Sequence, residues 1–79
     1  MKNVTRTEIL MAIDQIDKDP KQATLRKSLK YDLNYEGRSY PPILVLSLAN
    51  QILGGDKLFL SDFNNSIKKP FELLKEVRI

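Results

Sequence analysis

The sequence predicts a small α+β domain, with three to four helices around a buried central helix and one β-hairpin. Three observations lead to this class: an apolar repeat at helical spacing near the start, an alternation of period two in the middle, and a nearly continuous apolar run after two prolines. The 79 residues allow one domain with one hydrophobic core, so we expect residues 1–79 to form a single unit.

The first predicted helix has a capping box at its start. Thr5 is placed to cap the amide of Glu8, and the Glu8 carboxylate is placed to reach back to Thr5. Asp19-Pro20 ends the helix. The residues expected to face inward are Ile9, Ala12, Ile13 and Ile16, and those expected to face solvent are Asp14, Gln15 and Asp17.

A second, shorter helix is predicted directly after the first one. Asp19 is its expected N-cap, with Pro20 at the first helical position, where a missing N–H costs nothing. The helix runs to Lys30 and is basic on one side, with Leu25 and Leu29 on the other.

The middle of the chain predicts a β-hairpin. Glu36-Gly37 supplies the turn, since glycine takes a positive φ without penalty. With a two-residue loop, Tyr35 faces Arg38 across the ladder and Leu33 faces Tyr40. The residues that would share one face are Tyr31, Leu33, Tyr35, Arg38 and Tyr40.

The central helix is predicted to follow Pro41-Pro42, because proline is accepted in the first turn of a helix. Residues 43–53 leave hardly any polar face, which is typical of a buried helix. Gly54-Gly55 ends it. The stretch from Gly54 to Lys57 superficially resembles a phosphate loop, but it lacks the preceding strand and the Gly-Lys-Ser/Thr order, so it is interpreted as a helix stop.

The last third of the chain predicts two short elements. Ser61 is the expected cap of one helical turn within residues 57–63. Lys69-Pro70 marks a break before a last helix over residues 71–77, with Phe71 and Leu74 inward; in the alternative, residues 76–79 leave that helix as a third strand.

The composition argues against catalysis. The chain has no histidine and no cysteine, which excludes disulfides, thiolate metal sites and thiol nucleophiles. Asp14, Asp17 and Asp19 lie close together at a helix end, a pattern more typical of a solvated surface than of a magnesium site. We therefore expect no enzyme activity, no cofactor and no metal.

The start and the longest apolar run bear on location. The polar residues 1–5 do not form a signal peptide, and the apolar run over residues 41–48 is too short to span a bilayer. We expect a cytoplasmic protein with no membrane partner.

The positive charge is concentrated in one stretch. The net charge is +3, from 13 basic and 10 acidic residues. Residues 1–20 carry three basic and four acidic side chains, whereas residues 21–40 carry five basic and two acidic. Such a concentration is the form that an anion-binding face takes, and a solvated face is the alternative.

The candidate nucleic-acid-binding residues are Arg26, Lys27, Lys30, Arg38, Tyr40, Lys68 and Lys69. Basic side chains beside an aromatic ring suit phosphate contact combined with base stacking. Four of these candidates also have a specific structural alternative. The ring of Tyr40, which abuts Pro41, would pack on the core, Arg38 would stack on Tyr35, and the Lys68-Lys69 pair would solvate a loop.

Three features together resemble the N-terminal head domain of ScoMcrA-like restriction endonucleases. They are Val4-Thr5-Arg6 opening an apolar helix, the hairpin from Tyr31 to Tyr40 leading into Pro41-Pro42 and a buried helix, and the tail of residues 58–63 and 73–77. The resemblance covers residues 4–79. Those enzymes are multidomain HNH nucleases that cut DNA with modified bases or phosphorothioate linkages, so the resemblance implies an association with DNA-processing machinery.

Two hypotheses follow from the charge and the resemblance. In the first, the chain is a non-catalytic accessory module that binds double-stranded DNA, modified or unmodified, through its phosphates while other domains identify the modification. In the second, it is a protein–protein or dimerisation module, either a homodimer, a partner of nuclease domains of the same system or a free-standing phage or mobile-element regulator. An exposed apolar patch around the hairpin and the last helix would favour the second hypothesis.

Overall fold

Three helices and a two-stranded hairpin make up the described part of the chain, so the predicted α+β class is confirmed. The structure is a computed structural model, and it describes residues 2–21, 33–63, 66 and 68–76, apart from the side chain of Phe71. In chain order the elements are α1 (Arg6–Lys18), β1 (Leu33–Tyr35), β2 (Arg38–Tyr40), α2 (Pro42–Ile52), a 3₁₀ helix (Leu60–Phe63) and α3 (Lys69–Glu76). The predicted second helix lies outside the described residues from position 22 onward, as do positions 77–79 of the alternative third strand.

Helix α1 begins and ends where the sequence predicts. Its capping box is formed: the Glu8 carboxylate accepts hydrogen bonds from the Thr5 backbone N–H at 2.9 Å and from the Thr5 hydroxyl at 2.8 Å. These bonds hold the pKa of Glu8 below its ordinary value, and the bond from the Thr5 backbone has a larger effect than the bond from the Thr5 hydroxyl. At the other end, Asp19 is the C-cap. The four residues predicted to face inward are all buried.

The hairpin has the predicted register. Leu33 pairs with Tyr40 and Tyr35 pairs with Arg38, so the loop is two residues long. Both loop residues have a positive φ, 49° at Glu36 and 80° at Gly37. This combination matches the type I′ turn, whose twist fits that of the two strands. Glutamate is an unusual residue at the first position, where asparagine is preferred because it tolerates the left-handed conformation.

Helix α2 is the central buried element, as predicted. Pro41 is its N-cap and Pro42 is at its first position. Its end is a Schellman motif: the N–H of Gly54 donates to the Gln51 carbonyl and the N–H of Gly55 to the Asn50 carbonyl, each at 2.9 Å. Gly54 takes a φ of 84°, a left-handed conformation that favours glycine.

The region after α2 differs from the prediction in its caps. The expected helical turn forms as the 3₁₀ helix, but Ser61 lies inside it and does not precede it. The capping bond comes from Asp62, whose carboxylate accepts the N–H of Phe59 at 2.7 Å. The predicted last helix forms, but α3 begins at Lys69, two residues before the predicted start, because proline is accepted in a first helical turn.

The core lies mainly between α1 and α2, with contributions from the hairpin and from the residues after α2. Leu74 on α3 is buried, as predicted. The buried apolar residues are Ile9, Ala12, Ile13, Ile16, Leu33, Tyr40, Leu44, Val45, Leu46, Ala49, Leu58, Phe63 and Leu74. None of the described helices is long and apolar enough to cross a membrane.

Candidate nucleic-acid interface

Arg38 lies on the surface, at the first position of β2. The two-residue turn places it opposite Tyr35, and its side chain is 69% exposed. Its Nη1 lies 3.3 Å from Oδ1 of Asp17, in the last turn of α1. A cation is favourable at this place, since the C-terminal end of a helix carries partial negative charge. Arg38 therefore has both an intramolecular anion and open access to solvent.

Tyr40, two residues further along β2, is packed into the core. It is only 4% exposed, so its ring is not available for base stacking. The alternative in which this ring packs on the core is therefore confirmed. Its hydroxyl donates a hydrogen bond of 2.8 Å to Oδ1 of Asp17. Burial raises the pKa of Tyr40, and the hydrogen bond to the Asp17 carboxylate and the negative charge of that carboxylate raise it further.

Asp17 joins α1 to the hairpin, a role that the helical pattern does not reveal. The pattern predicts Asp17 as a solvent-facing residue, and its side chain is indeed 36% exposed. The same Oδ1 atom nevertheless accepts from both Tyr40 and Arg38. Its neighbour Asp14 forms its ion pair within α1, with Lys18 at 2.9 Å.

The described part of the chain is electrically neutral. It contains nine basic and nine acidic side chains, counted over residues 2–21, 33–63, 66 and 68–76. The surplus of +3 belongs to residues 22–32, with three basic and one acidic residue, and to Arg78. Arg26, Lys27 and Lys30, three of the candidate residues, therefore lie outside the described residues.

Lys68 and Lys69 are exposed at the start of α3. The carbonyl of Lys68 accepts the N–H of Glu72, and the N–H of Lys69 donates to the Ser66 hydroxyl at 3.2 Å. Two cations at the N-terminal end of a helix gain nothing from the helix dipole. α3 packs against α2, and no described contact brings its two lysines to Arg38.

Two buried polar residues of α2 were missed by the sequence interpretation, which saw hardly any polar face. Ser47 accepts the N–H of Leu58 at 2.9 Å. Asn50 accepts the N–H of Lys2 at 2.6 Å and donates to the carbonyl of Asp56 at 2.8 Å. These bonds hold backbone segments in place, so both residues are structural. The described residues contain no group of three or more residues suited to bind a metal ion.

Comparisons with protein-family models, with curated proteins and with solved structures found no match for this chain.

Proposed function

We propose that this chain is a non-catalytic accessory module that binds double-stranded DNA through its phosphates and serves a modification-dependent restriction system. The observation that carries the proposal is Arg38, a mostly exposed arginine on a short, well-defined hairpin within the basic stretch 21–40. Arginine is suited to this role because its planar guanidinium matches the geometry of a phosphate.

The described residues on either side of the basic segment lie near Arg38. The segment 22–32, which carries a net charge of +2, is flanked by Lys21 just after α1 and by Leu33 in β1. The contact between Asp17 and Arg38 ties the end of α1 to the hairpin, and thus ties together the two flanks of the segment. Arg38 is therefore on the same side of the domain as the attachment points of the basic segment.

The burial of Tyr40 narrows the mode of binding. Tyr40 was the aromatic residue of the hairpin proposed to stack on a base, and its buried ring cannot do so. Phosphate contacts remain, and these give weak affinity that depends on salt and very little on base sequence. Identification of the modified base or linkage then belongs to other domains of the system.

A DNA titration with matched arginine variants tests the proposal. We expect binding of a short duplex at low salt, measured by fluorescence anisotropy, to be weakened by Arg38→Gln and hardly changed by Arg6→Gln. Arg6 is also exposed, but it lies at the opposite end of α1, 11 residues from Asp17, or about 17 Å along the helix. The triple variant Arg26→Gln, Lys27→Gln and Lys30→Gln should reduce the slope of log affinity against log salt by about 1 for each phosphate that is no longer neutralised.

The controls separate the parts of the proposal. Duplexes with and without modified cytosine should bind equally, since the module contacts phosphates and not bases. A phosphorothioate keeps the negative charge of the phosphate, so it should change the affinity little. Undetectable binding to all of them at low salt would refute DNA binding. Equal weakening by Arg38→Gln and Arg6→Gln would place the interface elsewhere.

The second hypothesis, a protein–protein or dimerisation module, expects an apolar patch around the hairpin and the last helix. Among the described residues, the large exposed hydrophobic side chains are Met11, Leu53 and Phe59, and none lies on the hairpin or on α3. Sedimentation that gives a dimer, together with no DNA affinity, would decide for this hypothesis.

A further inference from the structure

Two hydrogen-bond donors meet on one oxygen of Asp17. The hydroxyl of Tyr40 and Nη1 of Arg38 both point to Oδ1. The Asp17 carboxylate is thus a hydrogen-bonded anion beside Arg38. An external anion that binds Arg38 would approach the same guanidinium. In the free protein, Arg38 is therefore already in contact with a negative charge.

The two bonds to Asp17 differ in kind. The bond from Tyr40 is 2.8 Å long and comes from a buried side chain. The bond from Arg38 is 3.3 Å long and comes from a side chain that is 69% exposed. Charge-assisted N–H···O bonds are usually about 2.7–2.9 Å, so the arginine contact is the weaker of the two. If Arg38 leaves, Asp17 keeps the Tyr40 bond and its access to water, so the carboxylate is not left unsatisfied.

We propose that Asp17 is an intramolecular competitor for the DNA phosphate: its carboxylate pairs with Arg38 in the free protein, and DNA binding replaces that pair with an Arg38–phosphate pair. This inference rests on the proposed DNA-binding function. The Asp17 carboxylate lowers the affinity in two ways, because it engages Nη1 of the guanidinium and because it repels the incoming phosphate.

Binding measurements on two asparagine variants test the competition. Asp17→Asn removes the negative charge and keeps an oxygen that accepts from Tyr40. Asp14→Asn is the matched control, because it removes the same charge three residues earlier on α1 and also breaks an exposed ion pair, with Lys18. Because exposed ion pairs are weak, we expect Asp17→Asn to raise the association constant for duplex DNA about two- to fivefold relative to Asp14→Asn. In an Arg38→Gln background this difference should shrink, because only the repulsion between the Asp17 carboxylate and the phosphate remains.

The outcomes separate this inference from the proposed function. If the wild type binds DNA and the two variants change the affinity equally, the competition alone is overturned. Weaker binding by Asp17→Asn also overturns it, because Asp17 would then orient Arg38 for DNA. Binding by Asp17→Asn but not by the wild type overturns DNA binding by the natural chain and the exchange with it, because Arg38 of the wild type then never leaves Asp17 for a phosphate. No binding by either protein overturns both.

A measurement on the wild-type protein does not depend on the variants folding. The ¹³C carboxyl resonance of Asp17 should shift on saturation with duplex DNA, because the carboxylate loses its cation, while that of Asp14 should stay in place. An Asp17 resonance that does not move at saturation overturns the exchange.

Discussion

A methyl group added at Gly55 would collide with the side chain of Asn50. An ideal Cβ at Gly55 would lie 2.5 Å from Nδ2 and 2.8 Å from Oδ1 of Asn50. Asn50 is buried and held on both sides, by the N–H of Lys2 at 2.6 Å and the carbonyl of Asp56 at 2.8 Å, so it cannot swing away. We therefore predict that Gly55→Ala destabilises the protein through this clash. The φ of Gly55 is not in the left-handed region, so backbone strain is not the cause.

The size and sign of the effect should depend on Asn50. Overpacking at a rigid site costs about 1–3 kcal/mol of unfolding free energy. In an Asn50→Ala background the obstacle is gone, and Gly55→Ala should stabilise by about 0.4–1 kcal/mol, because alanine restricts the unfolded chain. The two substitutions should thus show an interaction energy of roughly 1.5–4 kcal/mol.

A double-mutant cycle measured by urea unfolding, followed by circular dichroism, gives this interaction energy directly. Gly54→Ala is the matched control. Gly54 has a φ of 84° and nothing within 4 Å of an added Cβ, so its substitution should cost about 1–2 kcal/mol with or without Asn50. If Gly55→Ala costs the same in both backgrounds, the clash with Asn50 is not the reason that glycine is needed there.

Two further predictions concern the hairpin. Glu36→Asn should stabilise the protein by about 0.5–1 kcal/mol in urea unfolding, because Glu36 has a φ of 49° and asparagine tolerates this conformation; Glu36→Gln removes the same charge and should have no such effect. Tyr40→Phe should cost about 1 kcal/mol at neutral pH, since it removes the hydroxyl bonded to Asp17. Because the folded-state pKa of Tyr40 is raised, its contribution to stability is complete below the unfolded-state pKa of about 10 and is lost as the pH rises through the folded-state pKa. An alkaline loss of stability that is equally large in Tyr40→Phe would refute this assignment.

The sequence predicted the local elements well, because their signals are contained within a few neighbouring residues. The capping box of α1 needs only Thr5 and Glu8, and the hairpin register needs only the two-residue turn and the alternation on each side of it. The glycine stop of α2 is equally local, because the Schellman motif needs one residue with a positive φ, which is usually glycine. None of these signals depends on residues that are distant in sequence.

The roles of single polar residues were not predictable in the same way. Asn50 and Ser47 bond to backbone groups at Lys2, Asp56 and Leu58, and only the folded chain brings these groups to α2. A polar residue on a buried helix requires a partner, so the two residues were a signal that some backbone segment crosses α2, but the pattern does not say which one.

One face of the hairpin contributes one residue pair to the core and the other pair to the surface. The pair farther from the turn, Leu33 and Tyr40, is 5% and 4% exposed, whereas the pair next to the turn, Tyr35 and Arg38, is half-buried and exposed. Alternation alone assigns all four residues to one face and cannot separate them, because it carries no information about where the core ends. The core ends between the two pairs, and Asp17 accepts a hydrogen bond from one residue of each. Of the four residues on this face, Arg38 is therefore the one exposed to solvent, and Asp17 is the anion that it contacts.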